Sequence, residues 1–455
     1  MSKTIKLKKG FDINLAGKAE KKIIDIAQPE TFAIKPTDFL GIDRPKLLVK
    51  EKDTVKAGTP IFYDRMLPDV MYTAPVSGEV VEIRRGAKRK LLEIVILADK
   101  QIEYETFNTY TVSDLKGLAR EEAQEQMVKS GVWANIIQRP YGIVANPADT
   151  PKSIFVSTFD THPLAPDYDF LLKDQKQFVE AGFEVLSLFT NGHIHVNMNA
   201  EAEVSPIFSQ IKGVTINKVT GPHPAGNVGV QIHHIDPVNK GDIVWTINPY
   251  GVAQIGKLFL QGRYDTSKLV AFTGSELERP QYYKTYGGAC ISRFVENNLK
   301  NEHVRFISGN VLTGEKIKRD GFLGFYHHQV TVIREGDYYE MLGWIIPSMS
   351  KLSFHRAFGL LSFMNSKHKE YVLDTNTRGE ERAFVQTGVF EQVTPMDILP
   401  TYLIKSIMAE DFDDMEALGI YEVIEEDLAL CEFVDVSKHN IQEILREGIN
   451  LIRYS

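Results

Sequence analysis

Val55-Lys56-Ala57-Gly58-Thr59-Pro60-Ile61, followed after a hairpin by Ala74-Pro75-Val76-Ser77-Gly78-Glu79-Val80, decides how the N-terminal part of the chain is read. Gly58 and Gly78 stand where tight turns ask for positive φ, and Pro75 marks a strand edge because it cannot donate to a ladder. Around these two segments, residues 40–98 alternate strand-like runs (46–50 and 91–97 among them) with turn residues at short spacing. The spacing predicts an all-β unit.

The pattern resembles the barrel-sandwich fold of biotinyl and lipoyl carrier domains, which present a modified lysine at a hairpin tip. The corresponding turn here is Tyr63-Asp64-Arg65-Met66-Leu67-Pro68-Asp69, without lysine. Arginine cannot form the amide link, so the resemblance implies the fold without the carrier chemistry.

Beyond this unit a helix is predicted over 114–130, with Ser113 as N-cap and Gly131 as its stop. The apolar, β-rich run 153–159 suits a buried strand. Residues 168–181 read as a helix ended by Gly182 and 183–189 as the next strand, a βαβ unit of the kind that builds parallel sheets. Further strands are expected at 214–220, 228–233 and 242–247. Then come a strand at 269–273, a helix at 289–300 and a strand at 304–308, with hairpin residues Gly309-Asn310 and Thr313-Gly314. The remainder reads as mostly helical, broken by Pro347, Pro395 and Pro400. The expected whole is an α/β multidomain protein. An N-terminal region with a barrel-sandwich β domain occupies 1–105, a Rossmann-like α/β domain 106–262, a small β-grasp-like domain 263–335, and a mostly helical C-terminal domain 336–455.

At 455 residues the chain is too long for one ordinary core. Its 43% hydrophobic and 25% charged residues are ordinary globular chemistry, and a net charge of −8 gives no overall drive toward nucleic acid. No apolar run approaches the ~18–20 residues of a membrane span. The opening segment has lysines but no apolar core or cleavage site behind them, so a cytoplasmic location with peripheral membrane contact is expected. Charge is unevenly spread. Residues 1–35 hold eight lysines against four acids, Arg84, Arg85, Lys88, Arg89 and Lys90 form a second basic cluster, and 409–447 is acidic with only Lys438 and Arg446. Such asymmetry steers docking to a partner or anionic lipid, or simply marks two solvated faces.

Motifs that would carry chemistry are missing or weak. Two cysteines, Cys290 and Cys431, cannot supply the four ligands of an iron–sulfur cluster and read as small hydrophobes. A dinucleotide site needs glycines between strand and helix. After 153–159 the chain offers Asp160-Thr161-His162-Pro163-Leu164-Ala165-Pro166, with no glycine and two residues lacking an N–H. His193 and His195 share a strand face and could meet one metal, but lack a supporting ligand; His233 and His234 would point to opposite faces of a strand. Gly221-Pro222-His223-Pro224-Ala225-Gly226 reads as a rigid turn, structural or functional. Asp413-Asp414 and Glu425-Glu426-Asp427 read as a solvated helix face or N-terminal turn. No catalytic, cofactor-binding or metal-binding residue is assigned.

A family resemblance rests on longer stretches. Glu380-Glu381-Arg382-Ala383-Phe384-Val385, Pro395-Met396-Asp397-Ile398-Leu399-Pro400-Thr401, Ala417-Leu418-Gly419 and Glu425-Glu426-Asp427-Leu428-Ala429-Leu430-Cys431-Glu432-Phe433-Val434 are similar to the A-subunit family of Na⁺-translocating NADH:quinone reductases. So are Ile5-Lys6-Leu7-Lys8-Lys9-Gly10-Phe11-Asp12-Ile13 and the 74–78 turn, in the same order from end to end. The family is related to the C subunit of the Rnf electron-transport complex and to the flavin-bearing subunit of respiratory complex I, whose glycine-rich loop holds FMN. The equivalent stretch here is Arg139-Pro140-Tyr141-Gly142-Ile143-Val144-Ala145-Asn146-Pro147-Ala148-Asp149, with a lone Gly142. Cys431 stands alone where the relatives carry cluster cysteines, Asp435 occupying the place of a second one.

The resemblance thus implies a cofactor-free peripheral subunit of a sodium-pumping NADH:ubiquinone oxidoreductase, on the cytoplasmic face of the bacterial inner membrane. It would lie against the FMN-bearing membrane-embedded B subunit, with FAD, FMN, riboflavin and iron–sulfur centres on the partner subunits. It leaves ubiquinone or menaquinone open as a ligand. The competing readings are a soluble flavin- or NADH-binding oxidoreductase, favoured by the βαβ unit, and an interaction module derived from a carrier domain.

Overall fold

The 55–80 stretch contributes to both sheets of a two-sheet sandwich in the computed structural model, which describes residues 2–342, 346, 348–355, 361, 364, 369–384 and 388–455. Pro347 and Val385, named above, lie outside the described residues. One sheet orders Thr31–Ile34, Leu91–Ala98, Gly78–Arg85 and Thr54–Val55; the other orders Pro45–Leu47, Pro60–Asp64 and Leu67–Thr73. Gly58 and Gly78 do adopt positive φ, +97° and +151°. At Gly78 a Cβ would come within 1.9 Å of the Leu97 carbonyl oxygen, so only glycine fits the register.

The central sheet has seven strands in the order Thr4–Lys6, Thr215–Thr220, His193–Asn199, Ser153–Ser157, Val244–Thr246, Ile137–Arg139, Ile143–Val144. The first five run parallel; Ile137–Arg139 pairs antiparallel with Val244–Thr246, and Ile143–Val144 antiparallel with Ile137–Arg139. A fourth, six-stranded mixed sheet orders Glu315–Ile317, Val304–Ser308, Gln329–Arg334, Ser267–Thr273, Gln281–Tyr286 and Glu20–Ile24. The start of the chain is therefore shared: its first strand completes the central sheet and its second the six-stranded one. Long-range pairing of this kind ties the units together where a linker would leave them free.

Several elements differ from the sequence-based expectation, each for a local reason. Gly182 does not end a helix. It lies inside Lys176–Leu186, where a Cβ would strike the Val252 carbonyl oxygen at 2.0 Å, and Gly256 of the Pro249–Gln261 helix faces it with a Cβ site 1.8 Å from Phe178 O. The glycines serve close helix–helix approach rather than termination. The expected strand over 183–189 is consequently the end of that helix and a 3₁₀ turn, and the strand falls at His193–Asn199. Short apolar runs do not distinguish buried strand from buried helix. The same ambiguity makes 228–233 a helix, Val228–Ile235.

The helix expected at 114–130 splits into a 3₁₀ turn, Asp114–Gly117, and Arg120–Ser130, which begins after Ala119 rather than Ser113 and does stop at Gly131 with φ +87°. Of 289–300 only Ser292–Val295 is helical. Helices of the C-terminal part begin at Phe390 and include Pro400–Met408, Glu425–Val434 and Ile441–Tyr454; among the described residues of 336–389 there is no α-helix.

Trp133, Trp245 and Phe189 meet edge-on or tilted at 5.4–6.1 Å between the central sheet and its helices. All three are fully buried, each stabilising by about 1.5–3 kcal/mol relative to exposure. A second apolar cluster joins the C-terminal helices to Leu7, Val219 and Val230 of the central unit. It seats the Glu425–Val434 helix over the Arg139 turn.

Candidate functional site

Ligands of open α/β sheets bind at the carboxyl ends of the strands, where the strand order reverses direction. Here that point is Ser153–Ser157, flanked by His193–Asn199 on one side and Val244–Thr246 on the other. Its following loop carries Asp160, Thr161 and His162. Asp160 accepts from the His162 backbone N–H at 2.8 Å and pairs with its ring Nδ1 at 2.6 Å. His223, from the rigid turn 221–226, lies ring to ring with His162 at 4.7 Å and bonds Thr161 Oγ1 at 3.0 Å through Nδ1. A cleft of about 460 Å³, lined by Asp12, Lys18 and Glu370, opens onto Asp160 and His162.

Beside this cluster sits a buried ion-pair lock. The Arg139 side chain is 2% exposed; its Nη1 donates to Asp427 at 2.6 Å and its Nη2 to Glu426 at 2.7 Å. Both acids come from the first turn of Glu425–Val434, where the helix dipole also favours them. Arg446 grips the third acid, Glu425, through two N–H groups and donates to the Tyr141 carbonyl at 2.8 Å. Asn227 reaches the Glu426 carbonyl at 2.8 Å and so joins the lock to the loops of the sheet. Gly229 leaves room for the contact, since a Cβ there would lie 2.3 Å from Asp427 Oδ1.

The electrostatics follow from burial against pairing. Burial opposes charge on Arg139, but Asp427 and Glu426 outweigh it and hold its pKa above the ordinary arginine value. Burial lifts Glu426 above the ordinary carboxylate range, with Arg139 pulling the other way. Burial also works against the His162 imidazolium, yet Asp160, with Glu426 and Asp427 behind it, raises its pKa. His223 goes the other way: burial, then the neighbouring His162, push it down to about 3. Arg139 Nε, His162 Nε2, His223 Nε2, Asn227 Oδ1 and Asp427 Oδ1 are buried and meet no hydrogen-bond partner, so desolvation is a large part of this cluster's energetics.

The Arg139–Gly142 stretch itself is a tight hairpin with Tyr141 at φ +84° and Gly142 at +63°. The N–H of Gly142 donates to Gln138 O and that of Ala145 to Ile136 O. Those of Asn146, Ala148 and Asp149 go to Gln138 Oε1, Asn146 Oδ1 and Asn146 O. The donors that a phosphate-binding loop aims outward are here taken up internally. The arrangement can hold a proton between His162 and Asp160 and can clamp the helical part to the sheet.

Of the other sequence candidates, only Glu425-Glu426-Asp427 belongs to this cluster. His193 and His195 do share a face, their rings 5.7 Å apart, but His195 stacks on Phe155 at 4.6 Å and burial drives its pKa down to about 4. Among the described residues no group of three His, Cys, Asp or Glu side chains is placed to hold a metal ion. His233 and His234 are on a helix, not a strand, and tie it to the C-terminal part through Glu422 at 2.6 Å and the Pro395 carbonyl at 2.7 Å. Asp413 and Asp414 do form a helix N-terminal turn, at Phe412–Ala417. Glu425-Glu426-Asp427 is likewise an N-terminal turn but not a solvated one: the Asp427 side chain is 0% exposed because Arg139 needs it. Cys290 and Cys431 are free and buried; burial pushes the Cys431 thiol up to about 12, removing it from thiolate chemistry.

Three family models match this chain in order. Residues 5–99 match the NqrA N-terminal barrel-sandwich hybrid domain, 118–264 the NqrA second alpha/beta domain, and 269–319 the NQRA C-terminal domain. The A subunit of the Na(+)-translocating NADH-quinone reductase of Serratia proteamaculans is 38% identical over 453 residues, covering 98% of this chain and 99% of that one. Its counterpart in Alcanivorax borkumensis is 38% identical and that in Neisseria meningitidis 37%, each over 449 residues with the same coverage. The chain belongs to the family of A subunits of Na(+)-translocating NADH-quinone reductases. Among solved structures, an NAD⁺-reducing [NiFe]-hydrogenase in the air-oxidized state aligns at 10% identity and a TM-score of 0.38, over 78% of this chain and 67% of that one. A likeness so loose carries nothing further.

In this member of the NqrA family, the Arg139 lock is the feature that reading the sequence missed. Its partners are 287 and 288 residues away, and an arginine at a strand end carries no local sign of full burial. The only hint was three consecutive acids at a helix start.

Proposed function

We propose that this chain is a cofactor-free peripheral subunit of a sodium-pumping NADH:ubiquinone oxidoreductase, and that it supports the quinone-reduction step coupled to Na⁺ export. Near-complete coverage by relatives named for that enzyme is the observation that carries the reading. The chain would sit on the cytoplasmic face of the bacterial inner membrane against the FMN-bearing B subunit, with flavins and iron–sulfur centres on its partners and ubiquinone or menaquinone as acceptor. Among the described residues no helix is long and apolar enough to cross a membrane, in keeping with peripheral attachment.

The cofactor-free part of the proposal is supported by the Arg139–Asp149 hairpin. The N–H groups of Gly142, Ala145, Asn146, Ala148 and Asp149 are internally bonded, and three carboxylates stand beside the hairpin where a phosphate would be repelled. We assign no catalytic, cofactor-binding or metal-binding residue to this chain. Within the same proposal, 106–262 is a Rossmann-like unit, 263–335 a β-grasp-like one, and 1–105 and 336–455 the flanking domains.

The test is a deletion strain assayed in membrane vesicles, with assembly followed on a native gel. Quinone reduction should be lost while NADH oxidation by artificial acceptors survives. The NADH step needs a dinucleotide site, whereas the quinone step needs a supported geometry whose disturbance costs about 10²-fold in rate. An assembled complex lacking this chain but retaining full Na⁺-coupled quinone reduction would contradict it.

A further inference from the structure

The basic cluster at 84–90 has no part in the role just proposed, and the fold turns it into one wall of a cleft of about 740 Å³. The opposite wall carries Lys46 and Arg65 from the other sheet of the sandwich, and the floor is Arg453 from the last helix. Eight cations line this cleft against one carboxylate, Asp43, which already accepts from Tyr454. Only Arg446 among the eight is ion-paired, to Glu425; among the described residues the other seven meet no carboxylate within 4 Å. In a chain of net charge −8, seven uncompensated cations in one concavity repel one another unless an anion joins them.

Two details show that the cationic geometry is built in rather than incidental. Lys88 and Arg89, at the tip of the hairpin that ends the Gly78–Arg85 strand, both adopt positive φ, +53° and +63°. Glycine or asparagine would hold that turn at lower cost, so charged side chains sit there at the expense of the backbone. On the floor, Arg453 Nη1 is buried without a hydrogen-bond partner, while Nη2 donates to Gly41 O at 3.3 Å. Gly41, at φ +85°, makes room for it, since a Cβ would stand 2.8 Å from Nη1.

From this geometry we infer that the cleft between the 84–90 hairpin, Lys46/Arg65 and Arg453 is a binding site for a phosphate-bearing anion. Guanidinium forks suit phosphate oxygens, and the ring of lysines adds point charges at a distance. The volume exceeds one phosphate and accepts a diphosphate or a phosphodiester headgroup. Leu40, 41% exposed on the rim, offers an apolar neighbour of the kind an acyl chain would meet.

The experiment uses the purified full-length chain and two probes. These are vesicles of phosphatidylcholine with or without phosphatidylglycerol, followed by co-sedimentation, and inorganic pyrophosphate, followed by calorimetry. Lys88→Glu/Lys90→Glu and, from the opposite wall, Lys46→Glu/Arg65→Glu should each weaken binding at least about tenfold. Lys173→Glu/Lys212→Glu, the same charge change far from the cleft, should leave it intact, with folding of all three checked by thermal melts. Salt should weaken the wild-type interaction. Binding of anionic vesicles alone identifies a lipid headgroup, and saturable pyrophosphate binding without vesicle binding identifies a soluble phosphate; either supports the site. Failure of both probes, or equal losses in the cleft and control variants, overturns it.

Discussion

The Tyr63–Asp69 hairpin tip and the Arg139–Asp149 hairpin are the two places where the resemblances to carrier domains and to flavin-bearing subunits would put a ligand, and they are built in different ways. At the tip, Asp64 is 4% exposed and accepts N–H groups from Arg44 and Met66 at 3.2 and 3.3 Å, fixing the turn, while Met66 remains 67% exposed. The tip stays open to solvent at Met66; it simply lacks the lysine. At Arg139 the backbone donors are turned inward and a helix start bearing three acids is clamped on top. A site whose chemistry was one side chain is silenced by replacing that residue. A site whose chemistry was backbone geometry needs the surrounding fold to change, which leaves a buried, energetically demanding structure behind.

The largest effect should come from breaking the lock on one side. Arg139→Met leaves Asp427 buried without its counter-charge and should destabilise by about 3–5 kcal/mol. Denaturant unfolding, with hydrogen exchange across Glu425–Val434, would measure it. Replacing the acids at the same time, as Arg139→Met/Glu426→Gln/Asp427→Leu, should restore much of the loss, because desolvation of the lone charges is the dominant cost. A change below about 0.5 kcal/mol in Arg139→Met would put the lock among ordinary surface pairs.

A smaller effect follows from the opposed histidines. His223 has its folded pKa depressed to about 3, so the unfolded chain takes up a proton near its ordinary value that the native state refuses. Stability should therefore fall as pH drops from about 6.5 toward 3, by at most about 1.4 kcal/mol per pH unit for this group. His223→Asn should flatten that slope in pH-dependent melting curves. His162, with its folded pKa raised, has the opposite sign: its contribution is full below the ordinary histidine value and lost as pH rises through the raised one. Identical slopes in wild type and His223→Asn would remove that cluster from the pH response.

The smallest effect should be at the tip. Met66→Ala alters a largely exposed side chain and should shift stability by no more than about 0.5 kcal/mol. A thermal-melt shift several times larger would mean that the tip is covered after all, and the contrast with Arg139 would fail.

The sandwich was legible in the sequence because its turn glycines and Pro75 occupy positions where backbone geometry permits little else. The βαβ core was legible in outline but not in register. Gly182 looks like a helix stop in the sequence, whereas its missing Cβ serves contact with Val252 across two helices, and no single-sequence period separates those uses. At 160–166 the chain has no glycine and two prolines, and at 139–149 a lone Gly142 and two prolines, features visible in the sequence itself. What surrounds them in the fold could not be read. Arg139, His233 and His234 find partners in a segment far along the chain, and their roles exist only after the C-terminal helices have docked.

The Arg139–Asp149 hairpin bears most directly on the proposal that this chain contributes structure rather than a redox centre. The direct measurement is flavin content of the full-length chain, purified through gel filtration after incubation with excess FMN, read by absorbance and by fluorescence of the denatured supernatant. A colourless protein with flavin far below one per chain is expected. Stoichiometric FMN retained through the column, and lost in a variant such as Gly142→Val, would contradict it.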